Sequence, residues 1–266
     1  MSVHGLDETR CWECSSRSAR RQIVAIDLRQ GAYRLREAAT EQDLMAAFRL
    51  RFAVFNVELN EGLEQSSATG FDSDEFDPVC DHLIVECAHQ VVGTYRMQTG
   101  SMAKANRGYY GEREFDFTPY ESIRDEVIEL GRACIHRDHR STDVLYLLWR
   151  GIAEYAARCS GRYLLGCSSL TSQDPAEGLA VYQALSNYLA PPEFRTTPQP
   201  AFRLPPIQPG YSRPHIPKLL RTYLAIGAKI CGPPAMDREF KTIDFLTLLD
   251  LENLHARIRA RFFPNQ

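Results

Sequence analysis

Residues 127–150, VIELGRACIHRDHRSTDVLYLLWR, decide the fold. A β-rich apolar run with two embedded charges, Glu129 and Arg132, gives way through a polar turn to an amphipathic helix, the pattern of a sheet edge meeting a pocket. Strict alternation puts Glu129, Gly131, Ala133 and Ile135 on one face and Leu130, Arg132 and Cys134 on the other, so the two charges point apart. A bulge at Gly131 would bring them together, since glycine tolerates the kink, and would free a backbone N–H for a substrate carbonyl. The competing reading of the pair is an ordinary ion pair at a strand rim.

Around this stretch lie 266 residues, 44% hydrophobic, enough for one large domain or one domain with an appendage. The 34 acidic and 31 basic residues leave a net charge of -3, which gives no bias toward nucleic acid or anionic lipid. Eight irregularly spaced cysteines read as reduced thiols. Cys11 and Cys14 form a lone CxxC, and Cys80 with His82 and Cys134 with His136 are i, i+2 pairs; with no second CxxC to complete a tetrahedral set, no metal is expected. No run of eighteen apolar residues and no apolar segment behind the N-terminal arginines is present, so a cytoplasmic protein is expected.

Residues 1–21 are polar and aperiodic and are expected to form a disordered leader. Short strands flank the Gln30-Gly31 turn, and Thr40 with Asp43 signals a helix start. Its apolar stripe is Leu44, Phe48, Phe52 and Phe55, with Arg51 on a neighbouring strip that suits a snorkelling surface arginine. Residues 60–78 are acidic; they read either as carboxylates holding a cationic amine or as a solvated loop. A hairpin over His82–Cys87 and Val91–Met97 follows, then a polar loop from Thr99 to Pro119. The helix after residue 141 is expected to run to about Cys159, followed by a strand at Tyr163–Ser169 and a helix begun by Asp174-Pro175. Residues 22–190 thus form a β-α-β-α core, and 191–266 a C-terminal extension packing on the same domain. Its last strand is expected at Ile243–Leu251, before a helix carrying Arg257, Arg259 and Arg261 beside Phe262 and Phe263. GxGxxG, P-loop, G-x-S-x-G and HExxH patterns are absent.

The order Arg51-x-x-x-Phe55, Asp74-Glu75-Phe76-Asp77, Arg96 and Glu129-x-x-Arg132 resembles the signature of acyl-homoserine-lactone synthases, a branch of the GNAT N-acyltransferase fold. Over residues 32–250, DEFDPVCDHLIV, VVGTYRM, GYYGEREFD, ELGRACIHRDHRS, LLWRGIAEYA and LLGCSS look like the bacterial ornithine N-acyltransferases, which make lyso-ornithine lipid. The later LLRTYLAIGAKICGPPAMDREFKTIDF is similar to that group and to relatives labelled hemolysins or glycine N-acyltransferases. The resemblance implies an α/β fold with a V-opened mixed sheet flanked by helices. It also implies transfer of a fatty acyl group, commonly 3-hydroxylated, from acyl carrier protein to the α-amine of ornithine. Glycine or another amino acid is the alternative acceptor, and a non-catalytic, membrane-active protein is the alternative from another class.

On this resemblance Glu129 is the base, a backbone N–H near Gly131 or Arg132 holds the oxyanion, and Arg51, Phe55, Asp74, Asp77 and Arg96 line the acceptor side. The carboxylates suit an amine and the arginines a carboxylate. Glu129→Ala and Asp74→Ala are each expected to abolish transfer and leave a folded protein. Coenzyme-A-dependent GNAT enzymes hold the pyrophosphate on a glycine-containing turn, whereas His139-Arg140-Ser141-Thr142-Asp143 has no glycine and carries a carboxylate. The expected donor is therefore the acyl-phosphopantetheine of acyl carrier protein, met by Arg137, Arg140 and Ser141, with no permanently bound cofactor. A lipid product further implies transient contact with the inner membrane.

Overall fold

Antiparallel steps build one side of a single sheet: β1 (Asp27–Gln30), β2 (Tyr33–Glu37), β3 (Asp81–Cys87), β4 (Gln90–Thr99) and β5 (Val127–Ile135) pair in chain order. β5 then pairs in parallel with β6 (Tyr163–Leu170), but only over Val127–Glu129 against Tyr163–Leu165. Past those three rungs the strands part, while β6 stays paired along its length with the later strand Thr242–Asp250. The result is the expected V-opened mixed sheet, with Glu129 on the last rung before the opening. The computed structural model describes residues 25–206 and 214–262. The expected leader, Cys11, Cys14 and Phe263 lie outside the described residues.

β7 (Lys229–Ile230), β8 (Ala235–Asp237) and β9 (Thr242–Asp250) follow residue 190 and join the same sheet. The helices are α1 (Glu41–Phe52), α2 (Ser66–Thr69), α3 (Gly100–Ala105), α4 (Thr142–Cys159), α5 (Pro175–Ala184), α6 (Lys218–Ile226) and α7 (Ala256–Phe262). α4 is the crossover that a parallel β5–β6 pair requires. Ser141 caps it, its hydroxyl accepting the Val144 N–H, and Ser160 in the left-handed conformation ends it just before Gly161. Val144, Leu147, Leu148, Ile152, Tyr155 and Ala156, at three- and four-residue steps, bury its inner face against Leu35, Leu83, Val85, Met97 and Ile128. Phe262 of α7 packs on Tyr146 and Trp149 at 5.6 and 6.1 Å, so this aromatic turns toward α4. Among the described residues no helix is long and apolar enough to cross a membrane.

Two expectations need correction. The buried positions around α1 are Ala47, Leu50 and Arg51, continued by Val54 and Phe55 in a π-helical turn over Ala53–Glu58. Leu44, Phe48 and Phe52 are only partly covered, because a charged group claimed the inner face. The polar loop Thr99 to Pro119 is instead α3 and tight turns whose Tyr109, Phe115, Phe117 and Tyr120 form a second core with Leu165, Leu246 and Leu248. Aromatic anchors spaced without a regular period hid that core from a periodicity reading.

Gly166 stands just beyond the last β5–β6 rung, and any Cβ there would overlap the Leu130 carbonyl oxygen. Gly166→Ala is therefore expected to push the strands apart at the start of the V, at a cost of about 1–3 kcal/mol. Urea denaturation, read as a lower midpoint with an unchanged slope, checks it.

Candidate active site

The bulge in β5 exists, one residue later than expected. Opposite β4 the register shifts between Thr94 and Arg96, leaving Arg132 and Ala133 against Tyr95, and Arg132 takes a φ of +49°. Gly131 keeps negative φ and pairs in register with Arg96. A left-handed arginine costs about 1 kcal/mol, and the side chain's own ion pairs hold it there.

Glu129 is buried and its carboxylate is clamped by the loop after α3. The Gly111 N–H donates to Oε1 and the Tyr110 N–H to Oε2, both at 2.8 Å. Burial pushes its pKa up to about 7, against the pull of those two amides and of Arg96. The described contacts place no ion pair between Glu129 and Arg132, which face different partners.

Arg132 turns to the loop carrying Asp72, Asp74 and Asp77. Its Nη2 lies 2.8 Å from Asp74 Oδ2 and its Nε 3.4 Å from Asp72 Oδ1. Arg51, fully buried, bonds Asp72 at 2.7 Å and Asp77 bidentately at 2.7 and 3.0 Å. Arg96 reaches Asp74 at 2.6 Å and Asp77 at 3.1 Å. Three guanidiniums thus meet three carboxylates in a neutral, dry network, which explains how so many charges stay buried. Although burial opposes ionisation, Arg51 and Arg96 hold Asp77 well below the usual carboxylate range. Burial keeps the neighbouring His82 neutral by lowering its pKa.

Neither reading of the acidic segment describes this network. Asp72 and Asp77 are not solvated, and the oxygens of Asp74 and Asp77 already face arginines; Arg51 is no surface side chain. Asp74→Ala would leave Arg96 and Arg132 short of a counter-charge, so the variant, still expected to fold, is expected to lose stability as well as activity. Phe55 packs on Phe240 at 5.4 Å, and Phe240 lies under the Arg132 guanidinium at 4.5 Å, so Phe55 reaches the cluster through an intermediary.

Sequence reasoning named Asp72 only as part of an acidic run and missed Tyr110 altogether. The Tyr110 ring lies under Arg96 and Arg132 at 5.4 and 5.1 Å while its N–H holds Glu129, so one residue ties the two halves of the site. The double-tyrosine run GYYGE was the available signal.

On the turn into α4, Arg137 is 73% exposed and Arg140 forms a bidentate pair with Glu58 at 2.6 and 2.8 Å. Ser141 is spent as the helix cap. The Cys80–His82 and Cys134–His136 pairs make no ligand set: His82 bonds the Asp77 carbonyl, and Cys134 is buried while the His136 side chain is 41% exposed. Among the described residues the one close group of ligand-type side chains is Glu114, Cys167 and Asp244.

The Acetyltransferase (GNAT) domain family matches residues 50–150. The chain is 31% identical over 261 residues to an L-ornithine N(alpha)-acyltransferase of Brucella abortus, covering 86% of this chain and 88% of the relative. It is 29% identical over 245 residues to the protein of that name from Rhodobacter capsulatus, covering 86% and 93%. The solved structure of the AHL synthase LasI superposes with a TM-score of 0.51 at 11% identity, over 87% of this chain and 94% of that one. That likeness is one of fold.

Proposed function

The chain belongs to the L-ornithine N(alpha)-acyltransferase family on a GNAT fold, and from that premise we propose that it moves a fatty acyl group from acyl carrier protein to the α-amine of ornithine, giving lyso-ornithine lipid. It is an acyltransferase; the acceptor, the donor and the product are what the proposal adds. The observation that carries it is the buried carboxylate of Glu129, at the last rung before the sheet opens and three residues before a bulge.

Aminolysis of a thioester needs a free amine, a stabilised oxyanion and alignment. The amine nitrogen attacks the carbonyl carbon in the opening between β5 and β6; the C–N bond forms, the C–S bond breaks, and the thiol leaves with one proton. Glu129 takes the amine's proton through a water, using carboxylate lone pairs that the Tyr110 and Gly111 amides leave free, and that same proton passes on to the departing thiolate, which restores the carboxylate. A pKa near 7 lets it be ionised at neutral pH and still basic enough to accept. At the bulge two β5 residues oppose one on β4, which leaves an amide without a ladder partner, available to the oxyanion. The arginine–aspartate network holds Arg132 in its left-handed conformation and so fixes the bulge.

The donor side supports a carrier protein. The N-terminal turn of α4 is capped by Ser141, has Asp143 in its first turn and lacks glycine, so a pyrophosphate would meet a carboxylate there. Exposed Arg137 suits an acidic carrier surface. With ornithine as acceptor, acyl carrier protein is expected to support turnover and acyl-coenzyme A to give none above background, followed by mass spectrometry of the amide. Arg137→Glu should raise the KM for acyl carrier protein by about 3- to 10-fold at low salt, with the effect fading as salt rises. Equal use of both thioesters, or an Arg137→Glu enzyme indifferent to salt, removes the carrier reading.

A further inference from the structure

A second group of acids lies across Tyr110 from the arginine–aspartate network. Glu114, on the turn after Gly111, is 1% exposed; Asp244 on β9 and Asp237 on β8 are each 4% exposed. No arginine or lysine pairs with any of the three among the described residues. Asp237 spends one oxygen on the Glu239 and Phe240 amides, at 2.8 and 2.9 Å. By contrast, Glu114 Oε1, Asp244 Oδ1 and the Thr242 hydroxyl are buried with no hydrogen-bond partner. Natural interiors avoid such orphans, and the two carboxylate oxygens are acceptors with room for a donor beyond the nearby Ser169 and Thr242 hydroxyls.

A recess of about 180 Å³, partly open to solvent, reaches two of these acids, Glu114 and Asp237. Tyr110, Phe202 and Met236 supply its walls, Glu114 and Asp237 its polar lining, and Arg113 and Arg238 stand at the side. An apolar sleeve ending in carboxylates fits an alkylammonium; arginines beside it fit a carboxylate at the other end of the same molecule. From this geometry we infer that Glu114, Asp237 and Asp244 form the subsite for the side-chain ammonium of the amino-acid acceptor. The inference rests on the ornithine reading and adds to it a reason for α-selectivity. An amine held against carboxylates keeps its proton and is no nucleophile, so only the α-amine is left to react.

The charge environment of the three acids agrees. Burial, then the neighbouring Asp244 and Asp237, push Glu114 well above the usual carboxylate range; burial, with Asp237 adding to it, puts Asp244 at about 6. The groups facing them are the Cys167 thiol of β6, Glu61 and, as the one favourable charge, Arg132 of β5. An entering cation relieves this crowding.

Norvaline, which is ornithine without the side-chain amine, is the probe. With wild-type enzyme and acyl carrier protein as donor, kcat/KM for ornithine is expected to exceed that for norvaline by roughly 100-fold or more, and Glu114→Gln and Asp244→Asn should each collapse the ratio by at least about tenfold. A merely structural role would lower both acceptors alike and leave the ratio. Because the substitutions remove repulsion, both variants should melt no lower than wild type in the absence of substrate. A ratio that survives both substitutions overturns the subsite while leaving the ornithine acyltransferase reading intact. Should the enzyme acylate neither amino acid, that reading fails instead, and calorimetry without donor decides the subsite. Ornithine bound by wild type and not by Glu114→Gln supports it; no ornithine binding overturns it. The Glu114–Cys167–Asp244 grouping also admits a metal ion. Stoichiometric zinc in the purified protein, lost in Glu114→Gln, would overturn the ammonium assignment.

Discussion

Glu129→Gln is expected to lower kcat by about 10²- to 10⁴-fold while the protein stays folded, the loss typical of a removed general base. The wild-type kcat/KM should rise as pH passes about 7, where Glu129 ionises, and the variant should lose that inflection. The stability consequence has the opposite sign. With its pKa raised from 4.5 to about 7, the folded protein holds this proton more tightly than the unfolded chain. The group's contribution is therefore intact below pH 4.5 and falls as pH rises through 7, by roughly 3 kcal/mol in all. Glutamine removes that penalty but points an NH₂ at one of the two amides that now donate to the carboxylate, at a cost of about 1–3 kcal/mol. The two nearly cancel, so urea midpoints of variant and wild type should agree closely at pH 7. Full turnover by Glu129→Gln would dismiss the residue from the chemistry.

Asp77→Ala should act on the fold first. Asp77 accepts from Arg51 Nη1 and Nη2, from an Arg96 nitrogen and from the Asp74 N–H at 2.7 Å, all in a buried setting. Its removal leaves Arg51, fully buried, with only its Nε bond to Asp72, and breaking such a buried pair costs about 3–5 kcal/mol. Guanidinium chloride unfolding, with activity measured on the surviving folded fraction, separates this loss from any catalytic one. Asp77 also ties the network to acid: its lowered pKa means stability present above the unfolded value near 3.8 and lost as pH falls below it. A variant as stable as wild type would mean that the network is not what holds the acidic loop to the sheet.

Most element boundaries were legible because they rest on local signals. Thr40 with Asp43 did form a capping box, the helix after residue 141 did run to Cys159, and the alternating run at 127–135 did become a strand with a bulge. What misled was also local. Glycine at 131 drew the bulge to itself, whereas the strained position fell on Arg132, whose side chain has ion pairs to hold it and glycine has none. Arg51 looked like a surface residue by spacing, because spacing reports only which face a side chain shares and never what stands opposite it.

The chain alone therefore determined the β-α-β order, the break in helix and strand periods and the set of charged positions from Arg51 to Arg132, all properties of near neighbours along the sequence. Only the tertiary structure decided that Asp72 completes the arginine network, that Tyr110 and Gly111 grip Glu129, and that Glu114, Asp237 and Asp244 gather with no arginine or lysine paired to them among the described residues. Each of those groupings joins segments tens of residues apart. Whether a carboxylate is paired, clamped or left unspent depends on what burial brings against it, which no local period encodes.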